Sequence, residues 1–362
     1  MVSIILATRD RPLFLREALE SVRRQTARRA IAQVIVSENS TNGESRKVCG
    51  HFKDLPIVYV QQKPPVPAML HMKVMWDLVQ SPLVAILHDD DWWAPEHLEL
   101  ALAALEVNKD CVAVYSNWYE TFGPRSPYWI SEVAWLTWLA AGCDFGDPVL
   151  YLDPTSMMLT CLLNASLHYS TVVGRNEAML DACLRNVARN NDFDNDRTFP
   201  VFLSSHGRVG YLPAPSVFVR QHPFRDAWRP EIIHKHFEIA NETTRYLWNN
   251  YRTTITAAAA RFNETMIRLG PQESGPMWTV LRNRVGNPHL TTLIQECGLE
   301  LEPLLPIRCR SSRSVKGMIK SLCPPVLWDC ARRLRARLGG GCCWQKDILR
   351  WQAEEASRIR NC

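Results

Sequence analysis

Within about forty residues the chain spells an apolar run, an amphipathic run and a second apolar run, and a polar cluster closes each apolar one. "SIILA" (3–7) is a short buried-type strand followed by "TRDRP", whose Pro12 suits a first helical position. Phe14, Leu15, Ala18, Leu19 and Val22 then share one face at helical spacing. "AQVIVSENST" is again a strand running into a polar turn. Strand, helix, strand at this spacing is the grammar of a parallel sheet covered by helices.

The alternation continues through "PIVYV" as a strand, "PAMLHMKVMWDLV" as a helix, and "PLVAIL" as a strand that ends in "HDDD". In an open parallel sheet, ligands bind outside the carboxyl ends of the strands. The clusters "TRD", "SENST" and "HDDD" are therefore predicted to line one site. Further on, "PEHLELALAALEVN" reads as a helix, "CVAVYSNW" as a strand, and "TVVGRNEAMLDACLRNVA" as strand into helix. Residues 121–150, rich in Trp, Gly and Pro, read as an irregular excursion, and no internal repeat is visible.

A chain of 362 residues with 46% hydrophobic content can bury a sizeable core. The expected division is a sheet domain at 1–225, a helical extension at 226–305 and a basic amphipathic tail at 306–362. The overall charge is +5, but from Arg308 onward 13 Lys or Arg stand against 4 Asp or Glu, which leaves the body mildly acidic. "MVSIILATRD" lacks a charged region before its apolar run and a small-residue cleavage site, so it reads as a first strand rather than a secretory signal. No window reaches the roughly 18 apolar residues of a membrane span. The 12 cysteines show no zinc-ribbon spacing and read as reduced thiols, so the expected location is cytoplasmic. The sequons at Asn164 and Asn241 are then chance matches.

Three adjacent carboxylates, Asp89, Asp90 and Asp91, repel one another at neutral pH, and a buried strand that ends in them needs an offsetting cation. Clustered hard oxygens suit Mn²⁺ or Mg²⁺, which take one or two carboxylates and complete the shell with phosphate and water. The ordinary alternative is a solvated turn in which one Asp caps the helix that starts near Pro95. The position at the end of an apolar strand favours the cation.

These stretches resemble a known family. "VSIILATRDRPLFLREALESVRRQT", "VIVSENST" and "ILHDDDWWAPEHLE" look like the N-terminal half of a family 2 glycosyltransferase of the GT-A fold. "NDRTFPVFLSSHGRVGYLPAPSVFVRQHP" resembles the later segment that carries an E-D pair, an H-G-R-V-x-Y-L-P turn and a late R-x-H. The resemblance covers residues 2 to about 225 and lies in the order of motifs that are individually weak.

It implies an α/β protein with a Rossmann-like, mostly parallel sheet flanked by helices and a helical C-terminal extension. It also implies an inverting, metal-dependent transferase that uses a nucleotide-diphosphate sugar. By the same resemblance Thr8 and Asp10 frame the nucleotide, Glu38 with Asn39 takes the place of the base-reading acid, and Asp89 and Asp90 belong to the donor site. Asp90 and Asp91 match the metal and ribose-phosphate positions, with Asp89-x-Asp91 as the alternative register, and His222 matches a late His that completes the metal shell. Asp196 matches the general base. His88, Glu38 and Asn195 depart from the family pattern, which has Asp, Asp and Glu there.

Independently of the resemblance, displacement at an anomeric carbon with inversion needs a carboxylate to take the acceptor proton. "NDFDNDR" offers Asp192, Asp194 and Asp196, among which the resemblance favours Asp196, whose distance to "HGRVGYLP" is similar to the family's; the ordinary reading of such a loop is solvation or a helix cap. A lone His beside Pro223 is ordinarily a satisfied structural residue. By the resemblance Lys73 lies close to the family's Arg-Asn pair, which would let it meet a phosphate, although the ordinary reading, an exposed helix lysine, is the stronger one, and Trp92 and Trp93 either stack on a sugar or belong to the core.

In the tail, Arg332, Arg333, Arg335 and Arg337 interleave with Leu334 and Leu338. They suit an anionic membrane surface, which would make the protein peripheral on the inner face of the cell membrane, or equally a basic helix packed on the body. No nucleic-acid-binding motif accompanies them. The leading expectation is transfer from a nucleotide-diphosphate sugar, a UDP-sugar first, to a glycan or lipid-linked acceptor. A nucleotidyltransferase that makes nucleotide sugars and a non-catalytic glycan- or nucleotide-binding homologue are the alternatives.

Overall fold

The computed structural model describes residues 1–124, 126, 128–131, 147–162, 167–189, 195–222, 242–258, 260, 261 and 264. Strand β1 (Val2–Thr8) is buried along nearly its whole length, because it lies inside the sheet and is covered on both faces. Asp10 takes a left-handed φ of 55° and turns the chain sharply, and Pro12 opens helix α1 (Pro12–Arg23). The face of α1 expected from its spacing, Phe14, Leu15, Ala18, Leu19 and Val22, is buried. Each such side chain contributes on the order of 1.5–3 kcal/mol of burial.

The chain continues through β2 (Ile31–Glu38), α2 (Glu44–Cys49), β3 (Ile57–Gln61), α3 (Ala68–Trp76) and β4 (Leu83–Ile86). After these come β5 (Trp92–Trp93), α4 (His97–Val107), β6 (Cys111–Thr121), β7 (Tyr128–Ile130), β8 (Leu150–Leu152) and α5 (Pro154–Leu162). The last labelled elements are β9 (Val172–Arg175), α6 (Asn176–Ala188), α7 (Asn195–Ser204) and β10 (Arg208–Arg220).

The main sheet runs β3-β2-β1-β4-β9-β6-β10-β5, with β7 on β6 and β8 on β10. The first four strands are parallel, as their strand–helix alternation predicts. Beyond them the sheet is mixed, because β9 runs antiparallel to both β4 and β6. An apolar run carries no direction of its own; the connection before β9 returns the chain from the carboxyl edge and so fixes its sense. Gly174 lets β9 fit, since a Cβ there would lie 2.9 Å from Ala113 Cβ and from Met179 Cγ and Sδ.

These directions decide what reaches the carboxyl edge. Thr8 is the register partner of Glu38, and Ile5 of Ile86, so the ends of β1, β2 and β4 stand side by side. Because β9 is antiparallel, the 3₁₀ turn that precedes it (Tyr169–Thr171) arrives at the same edge. Strand β10 is parallel to β6 and delivers Arg220 and then His222 there as well.

The helix at 242–258 buries Leu247, Ile255 and Ala258. Arg189 donates to Thr243 Oγ1 at 3.0 Å and Arg197 to Thr244 Oγ1 at 3.2 Å, which fastens this helix to α6 and α7. The rest of the expected extension at 226–305, and the whole basic tail at 306–362, lie outside the described residues. Among the described residues no helix is long and apolar enough to cross a membrane.

Candidate active site at the carboxyl edge

The site forms where the strand order reverses, between β1 and β4, the switch point at which a crevice opens in such sheets. The three strand-end clusters meet there. Thr8 Oγ1 donates to Asp89 Oδ2 at 2.8 Å, and Asn39 N donates to Thr8 O at 2.8 Å. The Arg11 guanidinium bridges two acids, reaching Asp89 Oδ1 at 3.2 Å and Asp90 Oδ2 at 2.9 Å.

All three aspartates are buried, and each has its own partners. His222 Nε2 lies 2.9 Å from Asp90 Oδ2. Asp91 Oδ2 accepts the Ser170 hydroxyl at 2.5 Å, and Asp91 Oδ1 accepts Arg220 N–H at 3.0 Å. Arg220 lies over the rings of Phe14 and Trp92, donates to Asp90 O at 3.0 Å and pairs with Glu17.

Electrostatics separates the acids. Burial and the neighbouring Asp90 charge push Asp89 up to about 6, against the pull of Arg11. Burial works against ionising Asp90 too, but the His222 hydrogen bond and the Arg11 charge outweigh it and hold this carboxylate below its ordinary range. Charge-assisted bonds of this kind contribute about 1.5–3 kcal/mol each, enough to offset much of the desolvation.

The structure places the remaining expected residues unevenly. Asp10 is exposed and accepts Asn42 Nδ2 at 2.9 Å at the crevice rim. Glu38 is fully buried, and its carboxylate accepts Ser40 Oγ at 2.6 Å, Ser45 N at 3.4 Å and the Tyr59 hydroxyl. Burial raises its pKa, but these bonds win and lower it. Asn39 clamps the loop at Val66, donating to Val66 O at 2.8 Å and accepting Val66 N–H at 2.9 Å. Lys73 pairs with Asp77 one turn along α3 at 2.6 Å, and the acids are not among the described partners of its ammonium. Trp93 is core and donates to Ser170 O at 2.7 Å, whereas Trp92 is half-buried and stacks on Phe218.

Asp196 lies in the first turn of α7, half-buried, where its negative end is favoured. After burial itself, its charge is the main cause that raises the phenols of Tyr115 and Tyr169. The Tyr169 ring centroid is 6.0 Å from that of His88.

Sequence reasoning assigned no role to Arg11, Arg220, Ser170 or His168. Arg11 and Arg220 stand inside the motifs "TRDRP" and "VRQHP", where charge beside the acids was the available signal. Ser170 and His168 had none, because the antiparallel entry of β9 brings them in.

A divalent ion fits this donor set, since a buried ionised carboxylate, Asp90, already faces an imidazole at 2.9 Å. Residues 3–160 match the family model described as Glycosyl transferase family 2. No curated protein matches the chain by sequence. Among solved structures, S. aureus TarS 1-349 is similar with TM-score 0.51 at 13% identity, over 82% of this chain and 81% of that chain. A structure of S. aureus TarS is similar with TM-score 0.51 at 14% identity, over 81% of this chain but 50% of that one. S. aureus TarS 1-349 in complex with UDP-GlcNAc gives TM-score 0.50 at 14% identity, over 82% and 80% of the two chains. At these identities the likeness shows the fold, an α/β sheet of GT-A architecture, and residues 3–160 of the chain are similar to family 2 glycosyltransferases.

Proposed function

We propose that the protein transfers a sugar from a nucleotide-diphosphate sugar, with inversion, to a glycan or lipid-linked acceptor. One observation carries this reading: Thr8, Arg11, Asp89, Asp90 and His222 form a single connected network at the β1/β4 switch point. The family match supports the reaction class. The UDP-GlcNAc and UDP complexes of TarS support a UDP-sugar as the first donor to test.

In this reading Asp10 and Thr8 border the nucleotide, and Asn39 holds the loop at Val66 against its base end. Glu38, with both carboxylate oxygens engaged, shapes that pocket from beneath. Asp90 and His222, with Asp91 beside them, would hold a Mn²⁺ or Mg²⁺ ion. Such an ion, when bound, neutralises the departing diphosphate. Arg11 pre-orients the two acids, so less ordering remains to be done when donor and cation arrive. Asp196, in the first turn of α7, takes the proton of the acceptor hydroxyl as the new bond forms. Lys73, committed to Asp77, stands outside the proposed donor set.

The test is calorimetry of UDP and UDP-sugars on the full chain with and without Mn²⁺, followed by product analysis. Metal-dependent UDP binding that is lost in Asp90→Asn supports the reading. Absence of metal-dependent binding by any nucleotide diphosphate would favour a non-catalytic homologue, and pyrophosphate release from a nucleoside triphosphate would favour a nucleotidyltransferase.

A further inference from the structure

Glu38 ends β2 as the register partner of Thr8, one strand away from the acidic network. In the donor reading above, on which this inference rests, the nucleobase lies over the ends of β2 and β3. We propose that this pocket does not read the base, so that UDP and CDP, and sugars carried on either, are accepted alike.

Uracil presents an N–H at N3 and an oxygen at C4, whereas cytosine presents a bare nitrogen and an amino group at the same positions. An ionised carboxylate only accepts hydrogen bonds, so one aimed at N3 would select uracil and repel cytosine. Glu38 is the acid at that strand end, but it is 0% exposed and both of its oxygens are engaged from within. Oε1 accepts the Ser40 hydroxyl at 2.6 Å and Ser45 N–H at 3.4 Å, and Oε2 accepts the Tyr59 hydroxyl. These bonds knit the end of β2 to the first turn of α2 and to β3. A buried acceptor that already holds three donors has no place for the N3–H of a base.

The neighbouring amides are committed to the chain as well. Asn39 spends both ends of its amide on Val66, and Asn42 donates to Asp10 and accepts Glu44 N–H. Gln61 Nε2 donates to Ser40 O at 3.0 Å. What this end of the sheet offers instead is a flat cation: the exposed Arg46 guanidinium lies over the Tyr59 ring, 4.8 Å from its centroid. A guanidinium plane stacks on either pyrimidine, because every base has a π-face. A site that hydrogen-bonds a substrate group rejects the analogue lacking it by about 10⁴–10⁵, and a site without such a bond does not.

Calorimetry of UDP and CDP on the full chain with Mn²⁺ tests this. The two Kd values are expected to agree within about threefold. Arg46→Ala should weaken both nucleotides by the same factor, about fivefold or more. Glu38→Gln should leave the ratio of the two affinities unchanged while lowering the urea midpoint, since its amide N–H₂ turns toward groups that need an acceptor. If Glu38→Gln does not fold, the wild-type comparison and Arg46→Ala decide. A ratio that moves toward CDP in Glu38→Gln, or an Arg46→Ala effect on one nucleotide alone, would overturn the proposal. UDP binding with CDP about tenfold or more weaker overturns this inference and leaves the donor reading standing, whereas failure of every nucleoside diphosphate to bind overturns both.

Discussion

His222 Nε2 and Asp90 Oδ2 lie 2.9 Å apart although 132 residues of chain separate them. Asp90 follows β4, His222 follows β10, and the two strands are separated in the sheet by β9 and β6. The contact forms because all these elements deliver their site residues to one edge. It also accounts for part of the acid run at 89–91, whose repulsion is divided among Arg11, His222, Ser170 and the backbone of Arg220.

Removing the Asp90 charge should be costly for donor binding. In Asp90→Asn, His222 and Arg11 lose their shared carboxylate, and transfer is expected to fall about 10²-fold or more. Initial rates with a UDP-sugar and Mn²⁺, beside calorimetric UDP affinity, check this; wild-type values for both would move the donor cation elsewhere.

Asp196→Asn should separate chemistry from binding. UDP affinity should stay near wild type while kcat falls about 10²–10⁴-fold, the range of a lost general base. Unchanged turnover would place the base on another residue.

Gln25 pins α1 to the segment after β5. Its buried amide donates to Ala94 O at 2.8 Å and Ser21 O at 3.1 Å and accepts Leu98 N–H at 3.0 Å. Gln25→Ala strands these groups and should cost about 1–3 kcal/mol per unsatisfied backbone group. The shift is read as the urea midpoint at constant slope.

Two buried histidines should make the fold acid-sensitive. Burial lowers His97 to about 3 and His71 to about 4, well below the ordinary 6.5. The unfolded chain therefore takes up protons that the native state refuses. The stability from keeping them neutral is complete above about pH 6.5 and is lost as pH falls toward 4 and 3, at up to about 1.4 kcal/mol per pH unit for each residue. His97→Gln, which can still bond Ser216 Oγ, should flatten the stability–pH slope between pH 6.5 and 4. An unchanged slope would mean that His97 does not contribute.

The parallel half of the sheet and the convergence of Thr8, Asp89 and Asp90 were legible in the sequence. Apolar runs that end in polar clusters, spaced by amphipathic helices, leave one way to bury both faces of β1, β2 and β4, and that arrangement carries the clusters to one edge. Strand sense beyond β4 was not legible, because an apolar run is the same read in either direction. Only the tertiary structure reversed β9, and that reversal brought His168 and Ser170 against Asp91, from a stretch with no motif of its own. It also decided that Glu38 and Lys73 spend their charges on local partners, Ser40 with Tyr59 and Asp77. Residue type and spacing determine which strands form and what chemistry is present; which groups meet depends on strand direction and distance through space, which the fold alone supplies.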